Sequence, residues 1–152
     1  MRRPVLLGLI VLGIVLFLAI SALLARVFSV DGAERSAITA LVQDEARGDQ
    51  AGVLARISGC SASPSCRARV AYDVSLLTRP GSVSILQITT SAGFSLTSTL
   101  GTARVAWQTP SSLPIVQCLR VRRAGNALSG LRVQLLELSL RIYSNADCPT
   151  RF

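Results

Sequence analysis

The side chains able to do chemistry are few. The 152-residue chain has no histidine and no lysine. Beyond the opening helical stretch its acidic residues are Asp73, Glu137 and Asp147. General acid–base catalysis would draw on Asp73 beside Tyr72, or Glu137 near Tyr143. If residues 67–74 form a strand, Tyr72 and Asp73 face opposite ways and share no pocket. Glu137 reads more simply as a bulge residue or the partner of an arginine. Serine and threonine are dense from Thr89 to Thr99, but without a base they make no nucleophilic site. The expectation is no catalytic residue, no metal and no cofactor.

Four cysteines remain: Cys60, Cys66, Cys118 and Cys148. Cys60-x5-Cys66 is neither a redox Cys-x-x-Cys pair nor a usual zinc knuckle. An even set in an oxidising compartment reads as two disulfides, and four cysteines allow three pairings. We favour Cys60–Cys66, closing a tight loop around Ser63-Pro64. Its companion, Cys118–Cys148, would tie the chain end to a strand, where fraying is otherwise expected.

These groups hang from an apolar segment. Val5 to Ala25 is 21 residues without a charge, flanked by Arg2, Arg3 and Arg26. That is long enough to span a bilayer as one helix. A cleaved secretory signal has a shorter apolar core, and the only small-x-small site, Ala19-Ile20-Ser21, lies inside the run. The reading is an uncleaved single-pass anchor: residues 1–28 form a cytoplasmic tip and membrane helix, and residues 29–152 form one domain outside. The positive-inside tendency places Arg2 and Arg3 in the cytoplasm, and the domain faces the extracellular or periplasmic side of the cytoplasmic membrane.

From Arg26 onward, 14 arginines outnumber 8 acidic residues; the whole chain carries +8. Such a domain attracts anionic lipid or acidic envelope polymer. Nucleic acid is a poor fit, because the arginines are dispersed and aromatics are few. Trp107, the only tryptophan, is either a core residue or an interface anchor. Arg120 and Arg122, with Arg132 and Arg141 on the following strand, are either a solvated sheet face or a basic interface.

The elements that would position these residues begin at Asp31, a candidate N-cap with Glu34 three residues on. Ile38, Leu41, Val42, Glu45 and Ala46 follow at helical spacing, with Glu45 the polar exception. Gly48-Asp49 breaks the helix, and Val53, Leu54 and Ile57 mark a second, short one. Period-two alternation then predicts strands over residues 67–74, 83–90, about 94–96, 102–108, 115–123 and 131–143. The apolar phase slips by one between Leu135 and Leu138, which predicts a bulge at Leu136-Glu137. Two short helices on a curved antiparallel sheet of five to six strands make an α+β fold.

Residues 46–54, Ala-Arg-Gly-Asp-Gln-Ala-Gly-Val-Leu, resemble the A-x-x-x-G-D-x-x-A-x-x-x-L join between the first two helices of the NTF2-like superfamily. Gly48, Asp49 and Ala51 carry the match, with Val53-Leu54 at the hydrophobic anchor. The strands ending in a long, bulged one extend it over residues 31–148. In particular, the chain resembles small single-pass, envelope-facing actinobacterial proteins of this fold. The resemblance implies a cone-shaped cavity or dimerisation through the open sheet face. Enzymatic members use a histidine–aspartate or an aspartate–tyrosine pair, and this chain lacks the histidine. The expected function is therefore a non-catalytic accessory or assembly subunit, bound to a membrane protein or to its own copies. The alternative is a tethered cone that binds a small ligand or lipid.

Overall fold

One helix carries the apolar segment into the folded head without a break. In the computed structural model, which describes residues 2–93, 95–126, 128–143 and 148–149, α1 runs Arg2–Arg47. Its 46 residues rise about 69 Å, of which Val5–Ala25 supply about 31 Å. The large apolar side chains from Val5 to Ile20 are all exposed. From Val27 the same helix acquires a buried stripe: Val27, Val30, Ile38, Leu41, Val42 and Ala46. It is the one helix among the described residues long and apolar enough to cross a membrane.

Asp31 therefore caps nothing. Residues 26–31 contain no breaker, so the apolar helix propagates straight through them. The Asp31 carboxylate instead accepts from Arg35, one turn on, at 3.1 Å, and from Arg123 at 3.1 Å. Helix α1 ends at Gly48, whose φ of +77° suits the residue after a helix. Asp49 then caps α2 (Gln50–Arg56) by accepting the Gly52 N–H at 2.9 Å. Asp44, in the last turn of α1, pairs with both Arg47 and Arg56 and locks the corner.

The stretch 67–74 is helical, not a strand. A 3-10 turn (Cys60–Ala62) leads into α3 (Pro64–Leu77), capped by the Ser63 hydroxyl on the Cys66 N–H, with Pro64 in the first turn. Val70, Asp73, Val74 and Leu77 are buried, which is a three–four spacing. The alternation of Ala68, Val70, Tyr72 and Val74 is incidental, and Tyr72 is exposed. Ser63-Pro64 is the stronger local signal.

The sheet has four strands: β1 (Ser84–Thr89), β2 (Thr97–Gln108), β3 (Ile115–Asn126) and β4 (Gly130–Leu138). They pair antiparallel in chain order. The separate short strand expected about residues 94–96 does not form among the described residues, and β2 begins at Thr97 and runs through Gly101. At Gly101 a Cβ would sit 2.1 Å from the Ser91 carbonyl oxygen, so the connection after β1 packs directly on the strand. The bulge falls as the phase slip predicts. Arg120 faces Glu137 and Val121 faces Leu135, leaving Leu136 as the extra residue. The expected strand to Tyr143 stops at Leu138, beyond which Ile142 makes one bridge to Val116.

This architecture overturns the NTF2-like expectation. Three helices, not two, cover an open four-stranded meander that is neither closed nor curled into a cone. The surface that a cone would keep hollow is packed. Ile38, Leu41 and Val42 of α1, Val53 and Ile57 of α2, and Val70, Val74 and Leu77 of α3 form one core with Val105, Trp107, Leu119, Val121 and Leu135. Among the described residues, the other face of the sheet carries no helix.

Candidate functional site

Glu45 is a polar residue on the apolar face of α1, and its place explains it. Trp107 on β2 donates its indole N–H to Gln117 Oε1 on β3 at 2.9 Å. Gln117 Nε2 donates to Glu45 Oε1 at 3.0 Å and to the Ser139 carbonyl at 3.4 Å. The other Glu45 carboxyl oxygen and both oxygens of neighbouring Asp73, on α3, are buried without a hydrogen-bond partner. Burial pushes Glu45 up to about 8, helped by the neighbouring Asp73 charge and opposed by the Gln117 hydrogen bond. Burial likewise pushes Asp73 up to about 7, against the nearby Arg69 charge. Neighbouring buried carboxyls favour keeping a proton, because leaving both ionised in a low-dielectric interior is costly.

Asp73 also borders a half-open cleft of about 220 Å³, walled by Ile57, the Cys60–Cys66 disulfide, Arg69 and Leu138. Both Asp73 carboxyl oxygens are shut off from water. General acid–base chemistry requires contact between carboxyl and reactant.

A second buried cluster lies three turns back along α1. Arg123 of β3 donates from Nε to Glu34 Oε2 at 2.7 Å and reaches Asp31 with its other end. Glu34 also accepts the Ser91 N–H at 2.6 Å and the Ser91 hydroxyl at 3.0 Å. Burial raises the Asp31 carboxyl, but hydrogen bonds from Arg35, Thr90 and Arg123 outweigh it and hold the group below its ordinary value. This cluster joins α1, β3 and the connection after β1.

Cys60–Cys66 and Cys118–Cys148 are both disulfides, as favoured from the sequence. Trp107 is fully buried, the core alternative rather than an exposed anchor. Arg120, Arg122 and Arg132 share the helix-free face of the sheet, joined by Arg104. Arg122 stands opposite Gln134 and Arg132 opposite Ala124, so the two are diagonal rather than directly paired. Arg120 lies 3.7 Å from Glu137. Arg141 does not join them: it donates to the Pro114 carbonyl at 3.1 Å and lies over the Tyr143 ring. Asp147 lies outside the described residues.

Local pattern does not mark Glu34, Glu45 and Arg123 as site residues. The available signal was polar residues on otherwise apolar faces: Glu45 among Leu41, Val42 and Ala46, and Gln117 and Arg123 alongside Leu119 and Val121. Among the described residues, no group of three or more histidine, cysteine or acidic side chains could hold a metal ion. Compared with family models, curated proteins and solved structures, the chain matches none.

Proposed function

We propose that this chain is a membrane-anchored, non-catalytic accessory or assembly subunit, with its N-terminus in the cytoplasm and its head on the oxidising side. The observation that carries this reading is the continuity of α1. A partner that grips the lipid-facing helix turns the head with it, and a partner that grips the head turns the helix. A flexible tether would transmit neither. Two disulfides in the head support an oxidising compartment, and Arg2 and Arg3 support the orientation. The filled inner face of the sheet favours assembly over a ligand-binding cone. The helix-free face, with Arg104, Arg120, Arg122 and Arg132, suits a partner's acidic surface.

Gentle solubilisation of the native membrane tests this. The expected outcome is co-migration with a membrane protein or with further copies of the chain. Migration as a lone monomer would overturn the assembly role. Labelling of intact cells from outside with an impermeant thiol reagent, after mild reduction, checks the orientation independently.

A further inference from the structure

We infer that the tip of the β3–β4 hairpin rests in the interfacial layer of the bilayer, with Leu128 inserted among the lipid headgroups. This deepens the anchor reading and rests on it. The apolar segment ends at Ala25, and the next residue, Arg26, donates to the Leu128 carbonyl at the hairpin tip. The tip is thereby held at the level where the helix leaves the hydrocarbon. Two further contacts fix the direction of the sheet: Asp31 and Glu34 meet Arg123, and Glu45 meets Gln117. From Arg26 to Glu45 the helix rises about 28 Å. From Gln117 to Asn126 the strand extends about 30 Å. The two lengths agree, so β3 runs alongside α1 and ends at the membrane surface.

The residues at that end suit lipid. Leu128 is 80% exposed, and the Asn126 side chain accepts the N–H groups of Leu128 at 3.0 Å and Ser129 at 2.7 Å. Phe28, at 70% exposure, sits on α1 less than one turn beyond Arg26, and Leu96 is exposed just before β2. Arg132 lies two residues from the turn and Arg122 four residues from Asn126. Both are exposed and make no ion pair among the described residues. Apolar tips flanked by arginines match a surface of acyl-chain ends and anionic phosphates. A head fixed at two points, the helix and the hairpin tip, cannot tilt freely about α1.

Tryptophan placed at the tip tests this. The full chain carrying Leu128→Trp is reconstituted in vesicles of phosphatidylcholine and phosphatidylglycerol in equal parts. Quenching is read with lipids brominated near the carbonyl end of the acyl chain, and with aqueous iodide. The buried Trp107 supplies a background measured on the unsubstituted chain. Leu113→Trp, on an exposed loop beyond the far end of the sheet, reports the aqueous limit, and Leu12→Trp reports the hydrocarbon. The expected result is lipid quenching of Leu128→Trp with protection from iodide, and the reverse for Leu113→Trp. Iodide quenching of Leu128→Trp equal to that of Leu113→Trp, while Leu12→Trp is quenched by lipid, would overturn this inference and leave the anchor standing. If Leu12→Trp escapes lipid quenching, the anchor fails and the inference with it.

Discussion

Glu34 and Glu45 lie eleven residues apart on α1, three turns along the same face, and neither reaches water. Glu34 meets the guanidinium of Arg123 and two donors from Ser91. Glu45 meets a second acid, Asp73, and a single amide donor from Gln117. One buried carboxylate is matched by a cation, and the other is relieved by a proton. Burial alone thus does not set the charge of an acidic side chain on a helix face. The strand or helix opposite decides it.

The largest effect should come from breaking the matched site. Arg123→Met leaves Glu34 buried without its cation, which costs about 3–5 kcal/mol. Denaturant unfolding of the full chain in detergent, followed by loss of the Trp107 signal, measures it. The double variant Glu34→Leu with Arg123→Met removes both charges and should recover most of the loss, since a buried pair replaced by apolar groups is often close to neutral. If the single and double variants lose equally, the ion pair is not what joins α1 to β3, and the contrast between the two acids disappears.

The relieved site is sharpened by pH. Glu45 and Asp73 bind protons more tightly in the folded chain, near 8 and 7, than their ordinary values of 4.5 and 3.8. Between about pH 4 and about pH 8 the native state therefore holds protons that the unfolded state has released. Stability from this pair is fully present below that window and falls as pH rises through it, by at most about 1.4 kcal/mol per pH unit for each proton of difference. Gln117 from β3 and Arg69 from α3 are the polar and charged groups that face the pair. Glu45→Gln combined with Asp73→Asn should flatten the decline in the unfolding midpoint. Asp31 works in the opposite sense, because its lowered value adds stability that is lost only as the solution turns strongly acidic. An unchanged slope in the double variant would mean that the proton sits elsewhere.

Much of this arrangement was legible residue by residue. The apolar segment, the Gly48-Asp49 corner, the bulge at Leu136 and the inward side of β3 all follow from local pattern. Local pattern failed where two signals competed or where a long-range contact decided. Over residues 67–74, period two in the apolar residues masked the helix started by Ser63-Pro64. At Asp31, a good capping residue occurs inside a helix that has no reason to stop. At Gly101, ahead of the strand expected from residue 102, β2 already runs, and the Ser91 carbonyl approaches the glycine through space. The two acidic clusters could not be read either. Each joins residues more than 25 positions apart, and a lone polar residue on an apolar face says only that a partner exists. The NTF2-like resemblance rested on the Gly48-Asp49 join and on a run of strands ending in a bulged one; the join and the bulge are there, but the first of those strands is α3 and the sheet does not curl.

The smallest effect belongs to an arginine three residues from Arg123 on the same strand. Arg120 points to the helix-free face and lies 3.7 Å from Glu137, with both side chains partly open to solvent. Water and salt screen such a pair, and ordering two long side chains offsets part of the attraction. Arg120→Ala should cost between zero and about 1 kcal/mol in the unfolding assay used for Arg123→Met, and less as ionic strength rises. The same substitution has a different weight if this face meets an acidic partner. There, loss of a charge lowers the rate of association and its salt dependence while stability barely moves. A loss of several kcal/mol from Arg120→Ala in the isolated chain would show that the helix-free face is part of the folding unit. In that case the division between a charge buried for stability and charges displayed for binding would not hold.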